Sequence, residues 1–249
     1  MQFVRLYGRV LGLLAADKWV AVGLAAANVA LAGLQFLEPV LFGRVVDLLS
    51  TAAGMSRDAV WTEAFGGPAN TAPSSANWLT RTGTQYPGGA PNWGTGSVET
   101  ASASTANVYL DGNGRLNLRA IRDGAGNWTS GRIETQRTDF EPLAGQLTKF
   151  TAVLRQPDVT NALGYWPGFR ATGAAYRGNY NNWPGVGETD IMTDVNGRNQ
   201  LAQTLHCGTA PDGPCAEYNG RSSGFASCTG CQTGYHEYAQ VVDRTKTDE

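Results

Sequence analysis

From Trp61 onward apolar and polar positions alternate in short runs, the period-two pattern of a β-strand with one face buried. Leu116, Leu118 and Ala120 are interleaved with Arg115, Asn117 and Arg119, and GRIETQ (131–136), QLTKFTAVLRQ (146–156) and GYHEYAQVV (234–242) repeat the pattern. Between NVYL and RLNLRA stands Asp111-Gly112-Asn113-Gly114, and Asn-Gly accepts the positive φ angles of a tight turn, so a hairpin is predicted there. No convincing helical period follows residue 55. Many short strands joined by turns predict a mainly β domain, an antiparallel β-sandwich.

The first fifty residues follow another pattern. Trp19 to Leu37 is a run of nineteen residues without a charge. As a helix it spans about 28 Å, against a hydrocarbon core of about 30 Å, which predicts one transmembrane helix. A buried soluble helix and a cleaved signal peptide are the alternatives. Arg5, Arg9 and Lys18 precede the run and Arg44 and Arg57 follow it, a bias toward a cytoplasmic N-terminus. The β domain is then anchored to the inner membrane on its periplasmic or extracellular side, or secreted if the N-terminus is cleaved. QFLEPVLFGRVVDLLS (35–50) resembles the end of the first transmembrane helix of bacterial β-glucan ATP-binding-cassette exporters. The likeness covers one helix, and the chain has no G-x-x-x-x-G-K-[ST] loop, so it does not imply transport. The expected organisation is an N-terminal segment over 1–50, a linker or fusion junction over 51–60 and a β domain over 61–249.

Composition adds detail to this division. The 32 Gly and 11 Pro are concentrated in the β region, as tight turns require. Aromatic residues make up 10% of the chain, suited to a sandwich core or to platforms for sugar rings. A net charge of −2 leaves no electrostatic footprint for nucleic acid, whereas a neutral polysaccharide needs none.

The candidate chemistry lies in GETDIMTDVNG (187–197). Glu188 and Asp190 are two residues apart, so on a strand both carboxylates point to one face. The run resembles the Glu-x-Asp-x-x-Glu signature of glycoside hydrolase family 16. Further pieces keep the family's order along the chain: EAFGGPANTAPSSANW (63–78), NWGTGSVET (92–100), NVYLDGNGRLNLRA (107–120), WTSGRIETQ (128–136), GYWPGF (164–169) and TLHCG (204–208). The resemblance implies a concanavalin A-like jelly roll with a substrate groove across its concave sheet. It implies a retaining mechanism with Glu188 as nucleophile and Asp190 holding it. The acid/base position is Thr193, whose hydroxyl cannot supply the required proton. In the family a bulge returns this sixth position to the face of the first and third. Asp194, the nearest alternative acid, then points away; without the bulge it faces the cleft but lies about 20 Å from Glu188.

The same resemblance points to substrate contacts at Trp166, Trp183, Arg132 and His206, while Arg170 replaces a usual aromatic and Ser97 a common acidic residue. His206 is equally open to a structural hydrogen-bonding role. Many family members hold a structural calcium, but no oxygen-rich loop here names its ligands, and no cofactor or catalytic metal is expected. Four cysteines lie between Cys207 and Cys231. Their preferred pairing is Cys207 with Cys215 and Cys228 with Cys231; three connectivities exist, and a four-thiolate zinc site is the rival.

Two functions of different class follow. One is cleavage of β-1,3 or mixed β-1,3-1,4 glucan, impaired at Thr193. The other is a non-catalytic β-glucan-binding module, with a nonfunctional fusion fragment as a third outcome. Relatives in the family continue beyond RTKTDE with strands that complete both sheets, so the jelly roll is expected to be incomplete and an isolated 57–249 segment unstable.

Overall fold

A computed structural model gives the protein's fold and describes residues 60–159 and 162–246. The spanning helix expected over 19–37 and most of the 51–60 junction lie outside the described residues. Among the described residues no helix is long and apolar enough to cross a membrane; the helical pieces are two 3₁₀ turns, Pro91–Gly94 and Ala174–Arg177.

The described residues are mainly β, in an arrangement consistent with a jelly roll. Seven short strands come first: β1 (Trp78–Thr80), β2 (Glu99–Ala101), β3 (Val108–Leu110), β4 (Leu116–Leu118), β5 (Ile121–Arg122), β6 (Trp128–Ser130) and β7 (Ile133–Thr135). β8 (Leu147–Leu154), β9 (Gly168–Thr172), β10 (Glu188–Thr193) and β11 (Gln200–His206) follow, then β12 (Arg221–Ser222), β13 (Ala226–Ser227) and β14 (His236–Asp243). The Asp111–Gly114 turn joins β3 to β4 as its Asn-Gly predicts, with Gly112 and Gly114 at positive φ and Asp111 Oδ1 accepting the Asn113 amide. The two best-alternating segments, β8 and β14, pair antiparallel through all eight residues, from Leu147 opposite Asp243 to Leu154 opposite His236. One pairing departs from the expected antiparallel pattern: β2 runs parallel to β6, with Glu99 opposite Trp128.

The sheet that carries the chemistry has the order β12-β11-β10-β9, with β13 also on β11. Its centre is β10, and β10 is bulged. Asp190 lies opposite Arg170 and Thr204 while Thr193 lies opposite Gly168 and Ala202. β10 therefore advances three residues where each neighbour advances two. Ile191 and Met192 explain the bulge: both are large and apolar, and a regular strand would turn one of them onto the polar face. With the extra residue both are buried in the core with Cys231 and Tyr238, packed by Phe150 and Leu154 of β8 and Phe169 and Ala171 of β9. That core lies on one side of the sheet, and the carboxylates lie on the other.

Next to this core, between β10–β11 and β14, is an open cavity of about 350 Å³ lined by Thr189 to Ile191 of β10, Gln203 to Leu205 of β11, Arg221 of β12 and Ala239 to Val241 of β14. Leu205 and Val241 are exposed. By alternation the side chains of Thr189, Ile191, Gln203 and Leu205 point away from the face that carries Glu188 and Asp190.

Candidate active site

The register of β10 builds the site. Glu188 sits opposite Thr172 and His206, and Asp190 opposite Arg170 and Thr204, so alternate residues of β9, β10 and β11 present one polar face. Glu188 Oε2 accepts a hydrogen bond from the Thr172 hydroxyl at 2.9 Å, and Oε1 lies 3.5 Å from Arg170 Nη1, an ion pair rather than a good hydrogen bond. His206 Nε2 stands 3.6 Å from Asp190 Oδ2. Its Nδ1 is 2.9 Å from Glu217 Oε2, and the second Glu217 oxygen accepts the Cys207 amide at 2.8 Å. His206 therefore stands between two carboxylates, Nδ1 against Glu217 and Nε2 toward Asp190.

Glu217 is buried behind His206. Its place in the site was not legible from the sequence, because the pair is made across the loop closed by Cys207 and Cys215. Thr172 and Arg170 were missed as partners of Glu188 for a related reason. They lie on β9, whose register to β10 the sequence does not state; once the strand pairing is known, alternation from Gly168 finds both.

Burial pushes the Asp190 carboxyl above its ordinary range; Arg170 and His206 pull it down and the Glu188 charge adds to the rise. For Arg170, burial favours the neutral form, but the Glu188 and Asp190 charges outweigh it and hold the guanidinium more firmly protonated than usual. A carboxyl raised in the folded state contributes stability below its unfolded pKa of about 3.9 and loses that contribution as pH rises through the folded value. Asp190→Asn is therefore expected to raise the melting temperature at pH 7, by about 2–4 °C if the relief is about 1 kcal/mol. The gain should shrink toward zero near pH ~3.5, where wild-type Asp190 is itself protonated. Circular dichroism melts at both pH values check this; an equal gap at the two would show that the Asp190 charge is not what destabilises.

Ligating atoms of Glu188, Asp190 and His206 all lie within 4.8 Å of one another, a spacing that a divalent cation could span. The Glu188 oxygens already face Arg170 and the Thr172 hydroxyl, so as arranged the group is a hydrogen-bonded carboxylate pair beside a guanidinium.

The remaining sequence candidates divide. Trp183 is in the site, its ring 5.2 Å from that of His206. Thr193 lies on the carboxylate face through the bulge, flanked by Gly168 and Ala202, and is nearly buried at 7% exposure. Asp194 is turned inward and fully buried, as a bulged strand requires. Trp166 is exposed and lies beyond the Thr193 end of β10, where its neighbours Tyr165 and Pro167 accept the amides of Asn196 and Asp194. Arg132 belongs to an adjoining cluster: it donates to the Tyr86 hydroxyl at 2.9 Å and stacks 4.6 Å above the Trp93 ring. Arg81 donates to Glu134 there, and Tyr86 makes a short hydrogen bond to the same carboxylate. Burial alone would raise the Glu134 carboxyl, but those two bonds and the Arg81 and Arg132 charges hold it below the usual range. Burial pushes Tyr86 up to about 12. Tyr176, 5.4 Å from Tyr86, links this cluster to the carboxylates, since burial and then the Glu188 charge raise its hydroxyl.

The cysteines are joined as two local bridges, Cys207–Cys215 and Cys228–Cys231, with Cα atoms 5.4 and 5.6 Å apart, and no free thiol remains among the described residues for zinc.

No family model matches the chain. Its N-terminal part is similar to bacterial exporters: it is 60% identical over 50 residues to the β-(1→2)glucan export ATP-binding/permease protein of Nitrobacter winogradskyi, 20% of this chain and 8% of that protein. The corresponding protein of Mesorhizobium japonicum matches at 47% over 62 residues, so the chain spans no more than about a tenth of the exporters it resembles: 10% here. For the β region the likeness is to solved glucanases. The laminarinase of Rhodothermus marinus is 20% identical with a TM-score of 0.53, covering 73% of this chain and 66% of its own, and shows the fold alone. The endo-1,3-β-glucanase of Streptomyces sioyaensis is 52% identical with a TM-score of 0.73, over 76% of this chain and 69% of that one. With that identity over that coverage, and with the Glu188–Asp190 face in place, the chain belongs to glycoside hydrolase family 16.

Proposed function

We propose that the β domain, residues 61–249, holds β-glucan, 1,3-linked or mixed 1,3-1,4-linked, in a groove across the sheet formed by β9, β10 and β11. Glu188 is aimed at the anomeric carbon, and Asp190 fixes its position and protonation state. The observation that carries this reading is the register of β10, which puts Glu188, Asp190 and position 193 on one face. The reaction is the retaining displacement: a Glu188 oxygen attacks the anomeric carbon, the glycosidic bond breaks toward the leaving oxygen, and water later cleaves the glycosyl ester. A leaving alkoxide needs a proton, and Thr193 cannot give one. Positioned acid catalysis is worth about 10²–10⁴-fold, so cleavage of natural glucan is slowed by a comparable factor. The threonine also favours a second reading, a module that binds β-glucan without turning it over.

The N-terminal segment, 1–50, is proposed as a membrane anchor that places the β domain on the periplasmic or extracellular side, supported by the apolar run from Trp19 to Leu37 and the exporter likeness.

Aryl β-glycosides separate the two readings, because an aryloxide leaves without protonation. The expected result is retention of the protein on laminarin together with cleavage of the aryl glycoside, the cleavage disappearing in Glu188→Gln while retention persists. Retention with no aryl cleavage assigns the binding module. A wild-type protein that neither binds laminarin nor cleaves the aryl glycoside overturns the carbohydrate reading.

A further inference from the structure

The His206 ring is hemmed in from the side away from Asp190. Glu217 Oε2 lies 2.9 Å from Nδ1, and a side chain at Gly220, which sits at positive φ, would begin 2.8 Å from Nδ1 and Cε1. Only glycine lets the backbone come so close to the ring. On the other side Nε2 faces Asp190 Oδ2 at 3.6 Å, a contact rather than a good hydrogen bond. Glu217 is itself firmly held. Its side chain is fully buried, Oε1 accepts the Cys207 amide at 2.8 Å, and its backbone pairs with that of Asp212. The Cys207–Cys215 bridge brings the chain back beneath His206 just before it. Burying a carboxylate is costly even when it is bonded, and the Cys207 amide asks only for a neutral acceptor. What the carboxylate adds is the bond to His206. Without that bond the ring can make a half-turn about its Cβ–Cγ axis, which puts Cε1 in place of Nε2 at Asp190.

We propose that Glu217 is a positioning residue for the reaction at Glu188: it fixes the His206 ring with Nε2 against Asp190, and through that contact holds Asp190 beside the nucleophile. The proposal deepens the β-glucan reading above and rests on it. Glu217 touches neither sugar nor Glu188. It acts through one ring, so its effect exists only while that ring is present.

The test compares Glu217→Met and Glu217→Gln in the full chain, each also in a His206→Asn background, by aryl β-glucoside kinetics and by the ring proton resonances of histidine. Both replacements match glutamate in size, but only glutamine can bond to Nδ1. Glu217→Met should lower kcat about three- to tenfold at unchanged KM, the worth of one hydrogen bond, while Glu217→Gln stays near wild type. In the His206→Asn background the Glu217→Met loss should vanish, because the ring it acts through is gone. Wild type should also show a downfield resonance from the proton shared between Nδ1 and Glu217, absent from Glu217→Met. The chain has two histidines, so its loss in His206→Asn assigns it. An unchanged kcat in Glu217→Met overturns the proposal. An equal loss in both backgrounds does so too, since Glu217 would then support the fold rather than the ring, and an equal loss in Glu217→Gln assigns the effect to charge instead of placement. A wild type without the shared-proton resonance overturns it even where Glu217→Met does not fold. If wild type cleaves no aryl glucoside, the reading of Glu188 as nucleophile has failed instead, and the resonance alone decides whether Glu217 holds His206.

Discussion

Thr193→Glu should raise laminarin hydrolysis by about 10²–10³-fold over wild type, the lower part of the range for a positioned general acid. The bulge makes the substitution reasonable. Thr193 shares its face with Glu188 and Asp190, and its neighbours across the sheet are Gly168 and Ala202, the two smallest side chains available. Thr193 is buried at 7% exposure, so the longer glutamate must extend past its surroundings into the cleft, and circular dichroism checks that the variant is folded before its rates are read. Retaining chemistry asks for carboxyl groups about 5–5.5 Å apart, and glutamate side chains leaning toward each other along the strand can close that gap. Arg170 argues for the lower part of the range. Its guanidinium is paired to Glu188, and a nucleophile must leave that pair to attack. Thr193→Gln is the control, since it matches glutamate in size and cannot donate the proton of a general acid. Initial rates on laminarin and on the aryl glycoside measure both. A folded Thr193→Glu protein whose laminarin rate does not move removes the nucleophilic role from Glu188, because the missing acid would then not be what limits the reaction.

Much of the site was legible because it lies on one strand. Period two puts Glu188 and Asp190 together, and the family signature supplies the bulge that period two alone would miss. The bulge could also have been suspected from Ile191-Met192, two consecutive large apolar residues in a strand with one polar face. The long strands β8 and β14 and the β3–β4 hairpin were legible for equally local reasons, alternation and an Asn-Gly turn. What stayed hidden depends on pairing between distant segments. Nothing in the alternation of β2 and β6 says that they run parallel, and nothing near Glu188 says that Arg170 and Thr172 will flank it. Glu217 is the sharpest case, a carboxylate in a polar loop that becomes buried because the Cys207–Cys215 bridge folds it beneath His206. Arg132, placed near the groove by resemblance, turns out to be shared with a tyrosine and tryptophan cluster whose members come from three separate segments.

Ile191→Ala should cost about 2–3 kcal/mol of stability and lower the melting temperature by roughly 4–12 °C. Ile191 is 1% exposed at the centre of the cluster with Met192, Cys231 and Tyr238. Truncating a fully buried isoleucine ordinarily costs about 2–5 kcal/mol, part of it from the void left behind. Here the void opens into the existing cavity of about 350 Å³, whose wall includes Thr189, Gln203 and Gln240. Water can enter a polar-lined space and satisfy its groups, which removes much of the cavity term and leaves the transfer term. Met192→Ala should cost a similar amount, since the bulge turns both residues inward. The pair of melts therefore tests the register as well as the packing. If β10 were regular, one of the two side chains would lie on the carboxylate face and its truncation would cost less than about 0.5 kcal/mol, as surface changes do. Such an asymmetry would return position 193 to the core side and position 194 to the cleft, and the absence of an acid from the site would no longer follow.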